Sequence, residues 1–119
     1  MSDIILAIRP KWTDLILSGR KTTEVRRLMP TNLDPGDTVY IYYNGHLHGH
    51  ATVAGVERDI RHSITDRKLL DSSCLSQAEI LDYTLSARRP GCIHLVDPVR
   101  YHTPKPFNGP IVQNFIYAL

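Results

Sequence analysis

Covalent cross-links, membrane-length apolar runs and glycine-rich phosphate loops are all missing from this sequence. It has only 2 cysteines, Cys74 and Cys92, far apart and outside any Cys-x-x-Cys spacing. They read as small buried hydrophobes or free thiols, which excludes a disulfide framework and leaves a catalytic thiol unsupported. No apolar stretch approaches the roughly 18 residues that a membrane helix needs, so no membrane partner is expected. The opening run Ile4-Ile5-Leu6-Ala7-Ile8 is only strand-length and meets Arg9-Pro10-Lys11 at once. It does not resemble a secretory leader, and a cytoplasmic location is expected. Gly-x-Ser-x-Gly is absent, as are the glycine loops that cradle phosphates, so a serine-hydrolase elbow and a P-loop lose their support. Internal repeats, low-complexity tracts and linkers are absent too.

What remains is an ordinary globular composition, 42% hydrophobic and 22% charged, in 119 residues. That length suits one domain, 1–119, able to bury roughly two-thirds of its unfolded surface. The formal net charge is only +2, but it is unevenly distributed. Arg9, Lys11, Arg20, Lys21, Arg26 and Arg27 stand against Asp3, Asp14 and Glu24 in the first quarter of the chain. A locally basic segment says more about partners than the sum does.

The pattern changes period several times. Ile4 to Ile8 suits a buried strand. From Pro10 to Gly19 the apolar positions Trp12, Leu15 and Ile16 fall on one helical stripe, with Pro10 at the start and Gly19 at the C-terminal cap. Thr22 to Leu28 predicts a strand in which Glu24 and Arg26 share a face and Thr23 and Val25 occupy the other. Thr38 to Tyr43 is a strong β segment, Asn44-Gly45 has hairpin-turn chemistry, and Leu47 to Asp59 returns antiparallel, with Gly49 and Gly55 marking bulges or bends. Residues 60–74 read as polar and irregular. Ser76 and Glu79 form a capping box for a second helix through Ile80, Leu81, Tyr83 and Thr84. Cys92 to Val96 is a last long strand, continuing beyond Pro98 as Val99 to Tyr101. The tail, with Pro104, Pro106 and Pro110, cannot be a central strand before Ile111 to Tyr117. The expected fold class is α+β: five or six mostly antiparallel strands forming a partly closed barrel or strongly curved sheet, with two short helices.

The run "IRPKW", then "ILSGRKTTEVRR", then "PGDTVYIYY" resembles the ASCH family of the PUA-like superfamily. Its Gly-x-Lys-x-x-Glu-x-Arg signature is matched here by Gly19, Lys21, Glu24 and Arg26. The resemblance implies a cleft beside the first helix, lined partly by Lys21 and Glu24, and RNA or a nucleoside or nucleotide as partner. Nothing calls for a cofactor, and the oligomeric state is open. Some family members are associated with ribonuclease activity or with deacylation of N-acetylated cytidine. Those deacylases are understood to use the signature Lys, a Thr on the next strand and an acid before the second helix. Here the position three after Lys21 is Glu24 instead of Thr, with Thr22 and Thr23 as the available hydroxyls and Asp71, or Asp66, as the candidate acid. An enzymatic reading therefore rests on Lys21, Thr22 or Thr23, Glu24 and Asp71.

For binding, a nucleic-acid ligand needs cations for phosphate, flat rings for bases and fixed hydrogen-bonding groups. Lys21, Arg9, Lys11 and Arg26 are the candidate cations, with Trp12 and Tyr42 as candidate stacking rings. Tyr40 is a further ring, and one of the two tyrosines is expected to pack inward. Glu24 and Thr22 are the candidate polar readers. The bland alternatives are a core Trp12 and a surface Glu24–Arg26 ion pair worth about 0–1 kcal/mol. His46-x-His48-x-His50 places three imidazoles on one strand face in principle, but it follows the Asn-Gly turn and lacks a fourth partner. It reads as a solvated hairpin end, and no metal site is expected. A third class of reading is a protein-interaction module that uses the apolar tail Ile111 to Leu119.

Overall fold

The computed structural model describes residues 3–109 and 115–118. Its elements are β1 (Asp3–Ala7), α1 (Pro10–Leu17), β2 (Thr23–Arg26), β3 (Thr38–Tyr43), β4 (His46–Glu57), α2 (Arg67–Ser73), α3 (Gln77–Thr84), β5 (Gly91–Pro106) and β6 (Phe115–Ala118). The strands form one 6-stranded sheet in the order β2-β5-β4-β3-β1-β6. Among the described strand pairs only β1 and β3 run parallel, joined by the crossover through α1 and β2 that a parallel pair requires. The expected curved, mostly antiparallel α+β sheet is the fold observed. β6 lies in the segment expected to return to the sheet, although residues 111–114 of that expectation lie outside the described residues. No helix among the described residues is long and apolar enough to cross a membrane.

Each local signal has a visible structural counterpart. Asn44 and Gly45 both have positive φ, 48° and 77°, as a two-residue type I′ hairpin turn demands. The β3–β4 register shifts between Ile41 and Tyr42, and β4–β5 shifts between Leu47 and Gly49 and between Val53 and Gly55. Both glycines expected to mark irregularities therefore sit beside one. Gly49 is also a close approach, because an added Cβ would lie 2.4 Å from the Val99 carbonyl oxygen. The bulge at Leu47–His48 breaks the strict alternation on which a shared face for His46, His48 and His50 depended.

Two expectations are corrected. Residues 60–74 are not wholly irregular, because Arg67–Ser73 forms α2, a third short helix ended by Cys74 in the left-handed conformation at φ 58°. It has no side-chain cap and buries only Leu69 and Ser73, too little for an apolar stripe to be legible. β5 continues beyond Pro98 as expected, with Asp97 at φ 51° and a register shift opposite His50–Thr52. The tail, however, enters a strand well before Ile111: β5 runs 16 residues to Pro106, and Lys105 and Pro106 pair with Leu47 and His46. β2 pairs only with Gly91–His94, so among the described residues this stretch of β5 has an open edge where proline is tolerated.

The core has two parts. Ile4, Leu6, Val39, Ile41, Val53, Ile93 and Leu95 pack with Ile16 and Leu17 of α1. Val25 and Cys92 pack with Ile60, Leu69 of α2 and Ile80 of α3. The division follows the alternation of β5, where Ile93 and Cys92 point to opposite faces. The same alternation corrects the reading of the tyrosines. Tyr40 and Tyr42 are two apart and share the face away from the fully buried Val39 and Ile41, so neither enters that core. Tyr40 meets His50 edge-on at 5.9 Å and Tyr42 meets Phe107 at 6.0 Å.

Candidate functional site

The junction between α1 and β2 is built to bury a lysine. Gly19 has φ 85° and closes α1 with its N–H on the Ile16 carbonyl, after which the Lys21 N–H donates to the Leu15 carbonyl at 2.9 Å. Thr22 is tied on both sides: its N–H donates to Ser72, and its carbonyl accepts from Leu95. Lys21 is thereby turned inward, with only 3% of its surface exposed.

Its ammonium donates to the Ser73 carbonyl at 2.5 Å and stands 3.6 Å from Glu24 Oε1. Ser73 is the last residue of α2, where unpaired carbonyls and the helix dipole favour a cation. The other Glu24 oxygen, Oε2, accepts from Arg26 Nη1 at 3.0 Å. Period-2 spacing on β2 makes that bond available, as expected, but the pair is buried rather than at the surface, with side-chain exposures of 7% and 8%. Burial pushes the Lys21 pKa below its ordinary value. The Glu24 carboxylate opposes that shift, and the Arg26 charge adds to it.

These three charges form the floor of a cleft of about 550 Å³. Trp12 of α1 lines it, as do Glu79, Asp82 and Tyr83 of α3 and Leu75 just before that helix. Arg9 and Arg27 are exposed cations along it. The rings carry cations even without a ligand: Lys11 and Lys21 lie 4.6 and 5.1 Å from the Trp12 ring centre, and Arg27 lies 4.8 Å from that of Tyr83. The Ser76 capping box is present, with Ser76 Oγ accepting from the Glu79 N–H and Glu79 Oε1 accepting from the Ser76 N–H. The second bond holds the Glu79 carboxyl below its usual range.

Of the residues singled out in the sequence, Arg9, Trp12, Lys21, Glu24 and Arg26 meet in this cleft. Lys11 lies over the outer side of the same tryptophan. Thr22 is exposed and lines a separate hollow of about 260 Å³ with Ile16, Leu95 and Pro98. Thr23 projects from the other face of β2, and its hydroxyl is 3.0 Å from His94 Nδ1. Asp71 is exposed on α2, Asp66 is the N-cap position of that helix, and Tyr42 packs on Phe107. None of these five, Thr22, Thr23, Asp66, Asp71 and Tyr42, lines the cleft. The wall residues Glu79, Asp82 and Tyr83 and the Ser73 carbonyl escaped the sequence reading. The capping box marked where α3 begins, but nothing local announced which face it would present.

The imidazoles of the β4 hairpin end do not converge. His46 Nδ1 meets the Asn44 carbonyl, His48 stacks on Tyr43 at 3.5 Å, and His50 Nδ1 meets the Tyr101 hydroxyl.

A curved mixed sheet with a charged cleft between two short helices defines a small α+β domain of the PUA-like class. The chain belongs to the ASCH family, whose domain model matches residues 6–98. Among solved structures it is similar to the crystal structure of ASCH from Zymomonas mobilis, with TM-score 0.79 and 19% identity over 99% of this chain and 88% of that one. A serine-to-alanine mutant of that protein gives 0.77 and 20% over 99% and 89%. A tyrosine-to-phenylalanine mutant gives 0.70 and 21% over 91% and 76%. At such identities the likeness concerns the fold. No curated protein matches the sequence.

Proposed function

We propose that the cleft binds the base of a nucleotide, free or within RNA. The observation that carries this reading is the convergence of Lys21, Glu24 and Arg26 on a buried floor in a cleft that Trp12 and Tyr83 also line. Three charged groups held out of water cost desolvation energy that their mutual attraction only partly offsets. Fixed in a row, they present donor, acceptor and donor to the edge of a planar ligand. Trp12 and Tyr83 supply faces on which a base can stack, worth roughly 1–3 kcal/mol each. Arg9 and Arg27 suit a phosphate at the mouth, and such contacts make binding weaken with salt.

The test is direct binding of short RNA oligomers and free nucleosides by the full chain at low salt. Affinity lost in Lys21→Met and Glu24→Gln, with both variants folded by circular dichroism, is the expected result. No binding by the wild type, or equal binding by folded variants, ends the proposal.

A second reading, hydrolysis at the same cleft, is favoured by the lowered pKa of Lys21, since a lysine acting as base must give up its proton. The reading changes in its parts. No serine or threonine is among the residues lining the cleft, and the acids that do line it besides Glu24 are Glu79 and Asp82. Product formed from N-acetylcytidine or single-stranded RNA, and lost in Lys21→Met, would raise this reading above simple binding.

A further inference from the structure

On the sheet face opposite to the Glu24 and Arg26 side chains, three metal-ligating side chains meet where β4, β5 and β2 run side by side. Cys92 and His94 are two apart on β5 and point the same way. Glu57 lies across from Cys92 on β4, and Thr23 lies across from His94 on β2. Glu57 Oε2 is 2.6 Å from His94 Nε2 and 3.5 Å from Cys92 Sγ, and that sulfur is 3.7 Å from Nε2. Among the described residues this is the group of His, Cys, Asp or Glu donors whose ligand atoms all lie within 4.8 Å of one another.

We infer that Glu57, Cys92 and His94 bind one divalent transition-metal ion of the zinc class, with a fourth coordination position open to water. Bonds of about 2.0–2.3 Å in a tetrahedron put ligand atoms roughly 3.3–3.6 Å apart. The two edges to the sulfur already have nearly that length. The short third edge is a hydrogen bond, and Glu57, with 54% of its side chain exposed, is free to widen it. A sulfur, nitrogen and oxygen set selects zinc-like ions over magnesium or calcium. Thr23 supplies the outer contact that a ligating histidine needs: its hydroxyl is 3.0 Å from Nδ1, where it can accept from Nδ1–H and hold the ring once Nε2 gives its lone pair to the ion.

The Cys92 side chain is fully buried beside the Glu57 carboxylate. A cation among these groups neutralises the carboxylate and takes the sulfur as thiolate. Binding sends the thiol proton to solvent and shifts the His94 proton to Nδ1, so affinity rises with pH. All three ligands stand on paired strands, and His94 and Glu57 are both open to solvent, which gives the ion an entry path.

The experiment titrates the full chain, purified with chelator, with Co²⁺ alone and then Zn²⁺ alone. One equivalent of Co²⁺ should produce a thiolate-to-metal charge-transfer band and tetrahedral d–d bands, which Zn²⁺ bleaches. Zn²⁺ should also raise Tm in a concentration-dependent way. Cys92→Ser abolishes the thiolate band and Cys74→Ser keeps it. Glu57→Gln and His94→Gln, at solvent-accessible positions that tolerate change, weaken binding at least tenfold, and Thr23→Val weakens it about 10- to 100-fold. If Cys92→Ser does not fold, the Glu57 and His94 variants decide. Absence of stoichiometric binding, a thiolate band that survives Cys92→Ser, or affinity unchanged in both Glu57→Gln and His94→Gln overturns the proposal.

Discussion

Thr23 and Glu24 are consecutive in the chain and serve opposite faces of β2. Glu24 joins Lys21 and Arg26 at 3.6 and 3.0 Å beneath the cleft, while Thr23 meets His94 at 3.0 Å on the far side. One peptide bond separates the two candidate sites, so each can be altered alone.

Glu24→Gln should be costly. It leaves Lys21 and Arg26 buried without their shared carboxylate, and breaking a buried pair from one side typically costs about 3–5 kcal/mol. Urea unfolding should show a sharply lowered midpoint. The double variant Lys21→Met/Glu24→Gln, which removes one of the stranded cations, should recover part of it. A wild-type midpoint in the single variant would mean that the carboxylate adds nothing to stability.

Lys21 should make stability rise with pH on the alkaline side. Its folded pKa lies below the ordinary 10.5, so between the two values the unfolded chain holds more protons and unfolding becomes harder as pH increases. The penalty of burying the charged ammonium is fully present below the folded pKa and gone above about 10.5. The Cys92 thiol, whose pKa is raised, acts in the opposite sense. The comparison is therefore wild type minus Lys21→Met, each unfolded in urea across the alkaline range. A flat difference curve contradicts the lowered pKa.

Ser76→Ala should cost about 1 kcal/mol by removing the side-chain half of the capping box, read as a fall in Tm of a few degrees. Because Glu79 is held below its ordinary 4.5 by the Ser76 N–H, its share of the stability is present above that pH and fades as pH falls through the lower, folded value. The variant should also weaken nucleotide binding, since the same helix carries Asp82 and Tyr83 into the cleft wall. Calorimetry on the folded variant checks both effects.

Trp12 is the single tryptophan of the chain, which makes it a direct reporter. A base entering the cleft should quench its emission, and Tyr83→Ala should lower the affinity by the roughly 1–3 kcal/mol of a lost stack. Binding seen by calorimetry with unchanged emission would put the ligand elsewhere.

Several features were legible because their causes are local. The Pro10 start and Gly19 end of α1, the Asn44-Gly45 turn, the Ser76 capping box and the shared face of Glu24 and Arg26 depend on residues within a turn of one another. Gly49 and Gly55 flagged strand irregularities for the same reason. The misses have a different character. α2 lacks a cap and an apolar stripe, so Arg67 to Ser73 has no pattern to read. Tyr40 and Tyr42 were expected to divide between the two faces although residues two apart on a strand share one. Asp71 was chosen as the acid by its position before the second helix, whereas α2 leaves it exposed and α3 brings Glu79 and Asp82 to the cleft.

The sequence by itself determined most of the element types, the turns, the cleft signature and the shared strand face of Glu24 and Arg26. These follow from period, capping and sterics over a few residues. Only the tertiary structure decided that the last carbonyl of α2 would receive the Lys21 ammonium, that Tyr83 would line the same cleft as Trp12, and that Glu57 would meet Cys92 and His94. Those meetings depend on strand order, register shifts and helix docking, which bring together residues tens of positions apart and leave no local trace.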